Sequence, residues 1–266
     1  MSVVTLLTDF GSRDPFVGEM KLVLLRLAPG VPIVDLSHGI APGAIREAAW
    51  VLRKSYRQAP AGSVHVAVVD PGVGSERRAL AARAGGHVFL GPDNGVLMPA
   101  LEDAGIDCIH EIVWRDADHR RAGTTFDGRD VFAPEAARIF RGARVEEVGP
   151  EVHDPVAIAP YRPAPAPEGG MRVEVVRADR YGNLVTAAEE TYLRDTYGED
   201  WRAVGVNLGA GAIRGIRLGY AEVEPGEWLL SIGGGGTLEI SVRGGSAQRK
   251  SGLKAGDFIR IVDPPR

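Results

Sequence analysis

The stretch VHVAVVDPGVGSERR, from Val64 to Arg78, contains the strongest structural signal in the sequence. Its first residues, 64–69, are apolar except for His65. Such a run is typical of a strand that is buried on both faces, as in a parallel sheet covered by helices. Asp70 ends the run, and Pro71 after it favours an extended backbone. We therefore predict a central strand with a carboxylate at its C-terminal end.

The residues after this strand predict a tight turn followed by basic side chains. Gly72 and Gly74 let the backbone turn without a Cβ clash, and Arg77 and Arg78 follow one short loop later. Open α/β sheets bind their ligands beyond the carboxyl ends of the strands, so this carboxylate and guanidinium are candidates for a functional site. An ordinary Asp-Pro-Gly turn with a solvated arginine is the alternative, and the stretch alone leaves both open.

The chain before this strand alternates between strand and helix patterns. Val3–Asp9 is a near-continuous apolar run that ends on a carboxylate, and residues 33–38 form a second short strand pattern. Between them, Asp14 is the expected N-cap of a helix that runs to Leu27. Residues 45–56 place their apolar side chains on one helical face. This β-α-β-α-β order predicts a mainly parallel sheet with right-handed crossovers.

The following segments extend this α/β pattern. A hairpin is expected to turn at Gly85 and Gly86, and the GPDNG turn at residues 91–95 precedes a helix. We expect a further strand from Ile109 to Trp114. Residues 124–140 combine a polar loop, whose groups could face a ligand, with a helix that follows it.

A change of composition divides the chain into two domains. Residues 153–170 are rich in proline and alanine, which predicts a stiff, extended linker. After it come short strand patterns separated by glycines, with a helical pattern only at Glu189–Tyr197. We therefore predict an α/β N-terminal domain over residues 1–152 and a smaller, all-β, barrel-like C-terminal domain over residues 171–266.

Composition narrows the class of partners. The chain has 266 residues, a formal net charge of −4 and a pI of about 5.9, which favours neither nucleic acid nor an anionic membrane. A lone cysteine, Cys108, suits a reducing compartment. The apolar run at the N-terminus is too short for a signal peptide, and no stretch approaches the length of a membrane span. We expect a cytoplasmic protein.

Several carboxylates recur at or just beyond predicted strand ends. If they converge, they could hold a divalent metal, bind ribose hydroxyls or attract a cation, but aspartate is also common in turns and caps. Histidine and cysteine spacings typical of metal sites are absent from the sequence, so we predict neither a metal nor a cofactor. Glycine runs at residues 72–74 and 233–236 match no phosphate-loop motif and are expected in turns or hairpins. The carboxylates are Asp9, Asp14, Asp35, Asp70 and Asp93.

Seven motifs in register, spread from about Val3 to Val262, resemble the adenosine-forming S-adenosyl-L-methionine hydrolases. This family is related to the fluorinase and chlorinase that join halide to the same substrate. The resemblance implies a homotrimer in which each active site lies between the N-terminal domain of one subunit and the C-terminal domain of its neighbour. The motifs are TDFGSRDPFVGEMK, IVDLSHGIAP, VHVAVVDPGVGSERR, GPDNG, FDGRDVFAPEAA, DRYGN and LEISVRGGSA.

The same resemblance assigns substrate-binding roles. Asp9 would bind the ribose hydroxyls, and Asp14 and Asp179 would lie beside the methionine moiety, whose ammonium group suits carboxylates. Phe126 would also bind the substrate. The adenine pocket would be formed by a hydrogen bond from Asn183, the aromatic faces of Tyr181 and Tyr220, and the backbone of Gly244.

The catalytic set implied by the resemblance departs from the family pattern at one position. Asp70 and Arg77 match two members of the Asp-Arg-His set that holds the attacking water, and backbone amides around Gly128 are candidates to donate to it. Asp127 stands where the hydrolases usually have histidine. Asp127 either joins this set or turns away to pair with Arg129 or Arg121, and its effect on the rate is left open.

Two further departures concern the substrate pocket. Gly43 stands where relatives often carry an aromatic residue beside the ribose, and residues 233–236 replace a more polar pattern near the methionine carboxylate. The expected reaction is hydrolysis of S-adenosyl-L-methionine to adenosine and L-methionine by in-line attack of an activated water at C5′. Halide-dependent adenosyl transfer is one alternative, although the halide-using relatives lack the counterparts of Asp70 and Arg77. A non-catalytic trimer that binds adenosine or S-adenosyl-L-methionine is the other.

Overall fold

The structure is a computed structural model that describes residues 1–113, 125–208 and 211–265. Its chain separates into two compact units, Met1–Ala159 and Pro160–Arg266. Within the described ranges, no helix is both long and apolar enough to cross a membrane.

The first unit is built on a six-stranded sheet with the strand order β2-β1-β3-β5-β4-β6. Strand β1 is parallel to β2 and β3, and β3 is parallel to β5, whereas β4 is antiparallel to β5 and β6. The predicted mainly parallel sheet is confirmed. The strands are β1 (Val4–Thr8), β2 (Ile33–Ser37), β3 (Val64–Val68), β4 (Ala79–Ala84), β5 (His87–Pro92) and β6 (Ile106–Glu111).

Helices cover both faces of this sheet, which explains why its central strands are largely apolar. One core contains side chains of the first and fourth helices, and a second core on the opposite face contains side chains of the second and third. A π-helical turn, Gly128–Phe132, leads directly into the fourth helix. The helices are α1 (Phe16–Leu27), α2 (Ile45–Ser55), α3 (Met98–Ala104) and α4 (Ala133–Phe140).

Two local predictions in this unit are wrong. Asp14 is not the N-cap of α1, because Pro15 already has helical angles and occupies the capping position, without a side-chain hydrogen bond. The strand expected at residues 109–114 is β6, which begins at Ile106 and ends at Glu111. Its bounds follow from antiparallel pairing with β4, which the apolar run alone did not indicate.

The second unit contains a mostly antiparallel sheet, with one parallel pair between β12 and β13, that closes almost into a barrel. Its strand order is β11-β10-β15-β8-β9-β14-β13-β12, with β7 beside β8. The two ends of this order, β11 and β12, are consecutive in the chain, which brings the sheet edges together and confirms the barrel-like prediction. The strands are β7 (Ala164–Pro165), β8 (Met171–Ala178), β9 (Leu184–Glu189), β10 (Gly205–Asn207), β11 (Ala212–Arg214), β12 (Ile216–Arg217), β13 (Trp228–Ile232), β14 (Thr237–Val242) and β15 (Phe258–Val262).

Two helices accompany this sheet. The predicted one is α5 (Glu190–Tyr197), and α6 (Ala247–Ser251) was missed although Ser246 caps it by accepting a hydrogen bond from the Arg249 amide at 3.2 Å. The four glycines at 233–236 connect β13 to β14, as expected of hairpin glycines. The proline-rich segment is divided: residues 153–159 belong to the first unit, and β7 pairs with β8.

Because His65 is buried, we expect the stability of the first unit to depend on pH. Its ring is fully buried between Thr5, 2.8 Å from Nδ1, and His87, 3.2 Å from Nε2. Burial, with a smaller contribution from His87, lowers the pKa of His65 to about 3. Between that value and the unfolded pKa of about 6.5, the unfolded chain binds the extra proton. The contribution of neutral, buried His65 to the free energy of unfolding is therefore fully present above about pH 6.5. It is lost as the pH is lowered, by up to ~1.4 kcal/mol per pH unit.

Urea denaturation at several pH values measures this effect. In His65→Gln, which keeps polar groups but does not titrate, the loss of stability below about pH 6.5 should be shallower than in the parent protein. A matched control, His153→Gln, removes an exposed histidine and should leave the slope unchanged. Parallel slopes for the parent protein and His65→Gln would contradict the assignment.

Candidate active site

A cavity of about 220 Å³ lies in the first unit beyond the C-terminal ends of β1 and β3. One wall is apolar and the other carries carboxylates, with Thr125 and Gly128 between them. The apolar wall consists of Phe10, Phe16, Val68, Val73 and Phe126, and the acidic wall of Asp9, Asp70 and Asp127.

Arg77 joins the two catalytic candidates of the acidic wall. Its Nε donates to Asp70 Oδ2 at 2.9 Å and its Nη2 donates to the same oxygen, while Nη2 also donates to Asp127 Oδ2 at 2.6 Å. The side chains of Asp70, Arg77 and Asp127 are 4%, 14% and 7% exposed. Burial acts to lower the pKa of Arg77, but the hydrogen bonds and charges of the two carboxylates raise it above its ordinary value. The guanidinium is therefore held in its charged form.

The second carboxylate oxygen of Asp70, Oδ1, lacks a hydrogen-bond donor among the described residues. Both Arg77 contacts go to Oδ2, whereas Oδ1 is buried and has no hydrogen-bond partner among the residues that the structure describes. A buried acceptor without a donor is unfavourable. Because Asp70 lines the cavity, Oδ1 is suited to accept a hydrogen bond from a ligand there.

The loop after β3 explains why Arg77 returns to Asp70. The Val73 amide donates to the Asp70 carbonyl at 3.2 Å, and the Ser75 amide donates to the Gly72 carbonyl at 3.1 Å. Gly74 lies at φ +83°, which other residues rarely adopt. Two consecutive turns thus reverse the chain, and the alternative of a solvated arginine is wrong for Arg77.

Arg78 is directed to a different set of carboxylates. It donates to Asp93 Oδ2 at 2.7 Å and to Asp154 Oδ1 at 2.7 Å, and these hydrogen bonds raise its pKa. The other oxygen of Asp93 accepts from the Val156 amide at 2.8 Å. Asp93 therefore connects loops of the first unit rather than contributing to the cavity.

Asp127 is the N-cap residue of the π-helical turn, and Arg129 within the turn fixes that segment. Arg129 donates to Asp130 at 2.7 and 2.9 Å and to Glu19 of α1 at 2.7 Å, and its guanidinium lies 4.8 Å from the Phe126 ring centroid. Arg77, rather than Arg129, is the arginine that joins Asp127 to the acidic wall. Arg121, the other suggested partner, lies outside the described residues.

Three phenylalanines form most of the apolar wall. Phe10, Phe16 and Phe126 pack edge to face, with ring centroids 5.2 to 5.8 Å apart. Sequence reasoning singled out only Phe126. The spacing of Phe10 and Phe16 around a loop gave no periodic signal, and their contact with Phe126 joins distant parts of the chain.

The remaining acidic candidates of the first unit behave differently from one another. Asp9 lines the cavity, and its Oδ2 accepts from the Gly43 amide at 2.8 Å. Asp14 is exposed and is not among the lining residues. Asp35 pairs with Lys21 at 2.6 Å and His38 at 3.1 Å; burial opposes the change, but these hydrogen bonds lower its pKa.

A second cavity, of about 410 Å³, lies in the second unit and contains four of the predicted adenine-binding residues. The ring of Tyr181 is largely exposed and that of Tyr220 is half-exposed, so both can offer a face to a planar ligand. Asn183 Nδ2 donates to Tyr220 Oη at 3.1 Å. The lining consists of Tyr181, Asn183, Tyr220, Val242, Gly244 and Gly245.

Asp179 organises the loop that presents these side chains. Its Oδ1 accepts from the amides of Tyr181 and Asn183 at 2.8 and 2.9 Å, and its Oδ2 accepts from Asn183 Nδ2 at 2.9 Å. All three contacts are donated to Asp179, so this geometry uses both acceptor oxygens of a carboxylate. It adds a supporting role to the contact with methionine that the sequence resemblance implied.

Glu239 is an acidic residue of this unit that sequence reasoning missed. Burial and the charge of Asp179 raise its pKa, although Arg177 opposes them. Its carboxylate occupies the space that a side chain at Gly233 would fill. In the sequence Glu239 looks like an ordinary outward residue of an alternating strand, and only the hairpin geometry reveals this contact.

The first unit thus has the organisation of an α/β enzyme, with a buried acidic cluster facing an apolar wall beyond the carboxyl ends of its strands. Residues 4–149 match the SAM hydroxide adenosyltransferase N-terminal domain, and residues 173–260 match the C-terminal domain of the same family. The chain belongs to the SAM hydroxide adenosyltransferase family.

Individual relatives agree with this family. The chain is 36% identical to an (R)-S-adenosyl-L-methionine hydrolase of Salinispora tropica, over 97% of each chain. It is also 36% identical to the enzyme of that name from Thermus thermophilus, over 98% of this chain and all of the relative. A fluorinase of Actinopolyspora mzabensis is 22% identical over 98% of this chain and 97% of its own.

A solved structure shares the fold over the whole chain. An uncharacterized conserved protein from Thermotoga maritima superimposes with a TM-score of 0.88 at 32% sequence identity, covering 97% of this chain and 100% of its own.

Proposed function

We propose that this protein hydrolyses S-adenosyl-L-methionine to adenosine and L-methionine. The observation that carries the proposal is the Asp70–Arg77–Asp127 cluster, which is buried in a cavity whose other wall is apolar. Relatives 36% identical to the chain are named (R)-S-adenosyl-L-methionine hydrolase. A cavity with three carboxylates and one guanidinium favours a sulfonium cation over an anion.

The chemical step is in-line displacement at C5′. The oxygen of a water molecule forms a bond to C5′ as the C5′–S bond breaks, and the electron pair of that bond stays on sulfur, giving methionine. Asp70 Oδ1, the buried acceptor, holds the water and takes its proton, as a general base does. Arg77 fixes the Asp70 carboxylate through two hydrogen bonds, and the apolar wall limits the access of other water.

Backbone and neighbouring groups complete the nucleophile site in this proposal. Gly128 lies in the first turn of a helical segment, where N–H groups lack intrahelical partners, so its amide can donate to the attacking oxygen. Asp127 Oδ2 accepts a hydrogen bond at 2.6 Å from Arg77 Nη2, the atom that also donates to Asp70. Asp9 binds the ribose hydroxyls, with its carboxylate oriented by the Gly43 amide, and Asp14 and Asp179 bind the methionine moiety.

Halide transfer is disfavoured by the same cluster. A halide at the nucleophile position would meet the carboxylates of Asp70 and Asp127, both of which bind Arg77. Incubation with S-adenosyl-L-methionine in chloride buffer, followed by chromatography, tests the proposal: adenosine is expected. In oxygen-18 water the label should appear at the 5′-hydroxyl. Chloro-adenosine would support halide transfer, and the absence of both products would support a binding protein without catalysis.

A homotrimer with shared sites is also part of this proposal. The cavity of the first unit would supply the nucleophile and ribose contacts, and Tyr181, Asn183, Tyr220 and Gly244 of a neighbouring copy would supply the adenine contacts. The support is that the two groups of predicted ligand residues fall in two separate cavities.

Subunit mixing tests this arrangement. Asp70→Ala and Asn183→Ala should each be nearly inactive alone, whereas mixed trimers formed after dissociation should regain part of the activity, because some sites then combine two intact halves. Mixing Asp70→Ala with Asp127→Ala is the matched control, since both changes affect the same half and no intact site can form. Equal activity of the two mixtures, with exchange confirmed by mass spectrometry, would contradict shared sites.

Asp127 is expected to be a working member of the site. Asp127→Ala removes one of the two carboxylates that fix Arg77, and the freedom gained by the guanidinium should lower kcat by up to about 10²-fold. Asp127→His restores the usual family residue, but a neutral imidazole offers Arg77 one acceptor and no charge, so an intermediate kcat is expected. Steady-state rates measure both.

The control for Asp127 is Asp107→Ala, which removes an exposed carboxylate 3.5 Å from Arg83 in the same unit and should not change kcat. If Asp127→Ala were as active as the parent protein, Asp70 and Arg77 alone would hold the water.

A further inference from the structure

The nucleophile end of the first cavity is rich in hydrogen-bond acceptors. Arg77 directs Nε and Nη2 to Asp70 Oδ2, which leaves the buried Oδ1 with no partner among the described residues. The Asp70 side chain is only 4% exposed. A ligand that satisfies Oδ1 must therefore bring a donor hydrogen of its own.

The charges around Asp70 Oδ1 also restrict which nucleophile can bind there. Asp70 and Asp127 both accept hydrogen bonds from the Arg77 guanidinium, and these three groups together carry one formal negative charge. A bound nucleophile beside them should therefore be neutral. Chloride and azide fail both conditions, because they are anions without donor hydrogens. Water satisfies both, and so do ammonia and hydroxylamine, which are small, neutral and carry N–H groups.

We propose that this site accepts small neutral nitrogen nucleophiles, ammonia and hydroxylamine, in place of water. The inference rests on the proposed function. The nitrogen lone pair forms the N–C5′ bond while the C5′–S bond breaks, and the electron pair of that bond remains on sulfur as methionine. The new ammonium group then loses one proton, accepted by Asp70 or water, to give 5′-amino-5′-deoxyadenosine. Hydroxylamine gives the 5′-hydroxyamino compound in the same way.

Three features of ammonia and of the cavity favour this reaction. Ammonia attacks through a free lone pair without first losing a proton, so it needs less from the general base than water does. Its hydrogens can also reach Asp70 Oδ1 and the Asp127 carboxylate, the two acidic groups that line the cavity beside Arg77. Val68 and Val73 add apolar surface at the same cavity, which favours a neutral molecule over hydrated ammonium.

The test incubates the full-length protein with S-adenosyl-L-methionine and nitrogen-15 ammonium chloride at neutral and at alkaline pH. Mass spectrometry measures the ratio of labelled 5′-amino-5′-deoxyadenosine to adenosine. The rate of amine formation should saturate with ammonia, whereas the ratio should rise in proportion to neutral ammonia, roughly tenfold per pH unit as ammonia replaces ammonium. Hydroxylamine, which is neutral at neutral pH, should give its product without the alkaline condition. Sodium azide and potassium chloride at equal ionic strength should give no 5′-azido or 5′-chloro product.

Two variants separate the inference from its alternatives. Asp127→His should lower the amine-to-adenosine ratio, because it replaces an acceptor carboxylate with a group that can donate. Asp107→Asn, a change at an exposed carboxylate, should leave the ratio as it is. Adenosine without labelled amine at either pH would overturn the inference and leave hydrolysis standing. Failure to form either product would overturn both, and a ratio unchanged in Asp127→His would overturn the assignment to the two carboxylates.

Discussion

Replacing Asp70 with asparagine is expected to lower kcat for S-adenosyl-L-methionine hydrolysis by ~10² to 10⁴, the range of general acid–base contributions. Asparagine keeps the shape of the side chain but cannot take a proton from water. Asp70 Oδ1 is the buried acceptor that faces the nucleophile in our proposal, so the chemical step should lose more than binding does. Single-turnover kinetics measure the step directly.

The substrate affinity of Asp70→Asn should change much less than its kcat. Isothermal calorimetry with Asp70→Asn should show a much smaller change in substrate affinity than in kcat, since this residue contacts the nucleophile rather than the substrate. Asp107→Asn, on the surface of the same unit, is the matched control and should behave as the parent protein. A large loss of affinity at unchanged kcat would mean that Asp70 only binds substrate.

Local patterns in the sequence were sufficient for much of the first unit. Strand β3 is largely apolar on both faces because helices cover the sheet on both sides. The apolar run at residues 64–69 therefore predicts its burial. The pair Asp70–Arg77 spans only seven positions, so the sequence made an approach of the two side chains possible, but the stretch alone left a solvated arginine equally open. The helix start at Asp14 failed by one residue because Pro15 adopts the capping conformation itself.

Contacts between distant parts of the chain are not visible in such patterns. The Arg77–Asp127 hydrogen bond joins residues 50 positions apart, and it depends on how the π-helical turn is fixed by Arg129 and Glu19. Family resemblance indicated that Asp127 belongs near Asp70, but it left open whether Asp127 joins that set or turns away to pair with Arg129 or Arg121. Similarly, the proximity of Glu239 to Gly233 depends on a hairpin register that short alternating strands leave undetermined.

Arg77→Met should combine the loss of activity with a loss of stability. The change leaves the carboxylates of Asp70 and Asp127 buried at 4% and 7% side-chain exposure without the guanidinium that neutralises them. Breaking a buried ion pair on one side costs about 3–5 kcal/mol, because the remaining charge is uncompensated. We expect the free energy of unfolding, measured with urea, to fall by about that amount, and kcat to fall by ~10² or more because Asp70 is no longer oriented.

Arg78→Met distinguishes the two effects, since it removes the adjacent guanidinium with the same change of charge. Arg78 binds Asp93, which is buried, and Asp154, which is exposed, so this variant should lose stability but keep kcat.

A double variant tests the role of charge directly. Arg77→Met with Asp127→Asn removes one of the two uncompensated carboxylate charges, and it should recover part of the stability while activity stays low. Recovery of activity together with stability would mean that Arg77 serves the fold alone. Loss of kcat in Arg78→Met equal to that in Arg77→Met would mean that the loop as a whole, rather than the guanidinium between Asp70 and Asp127, sets the rate.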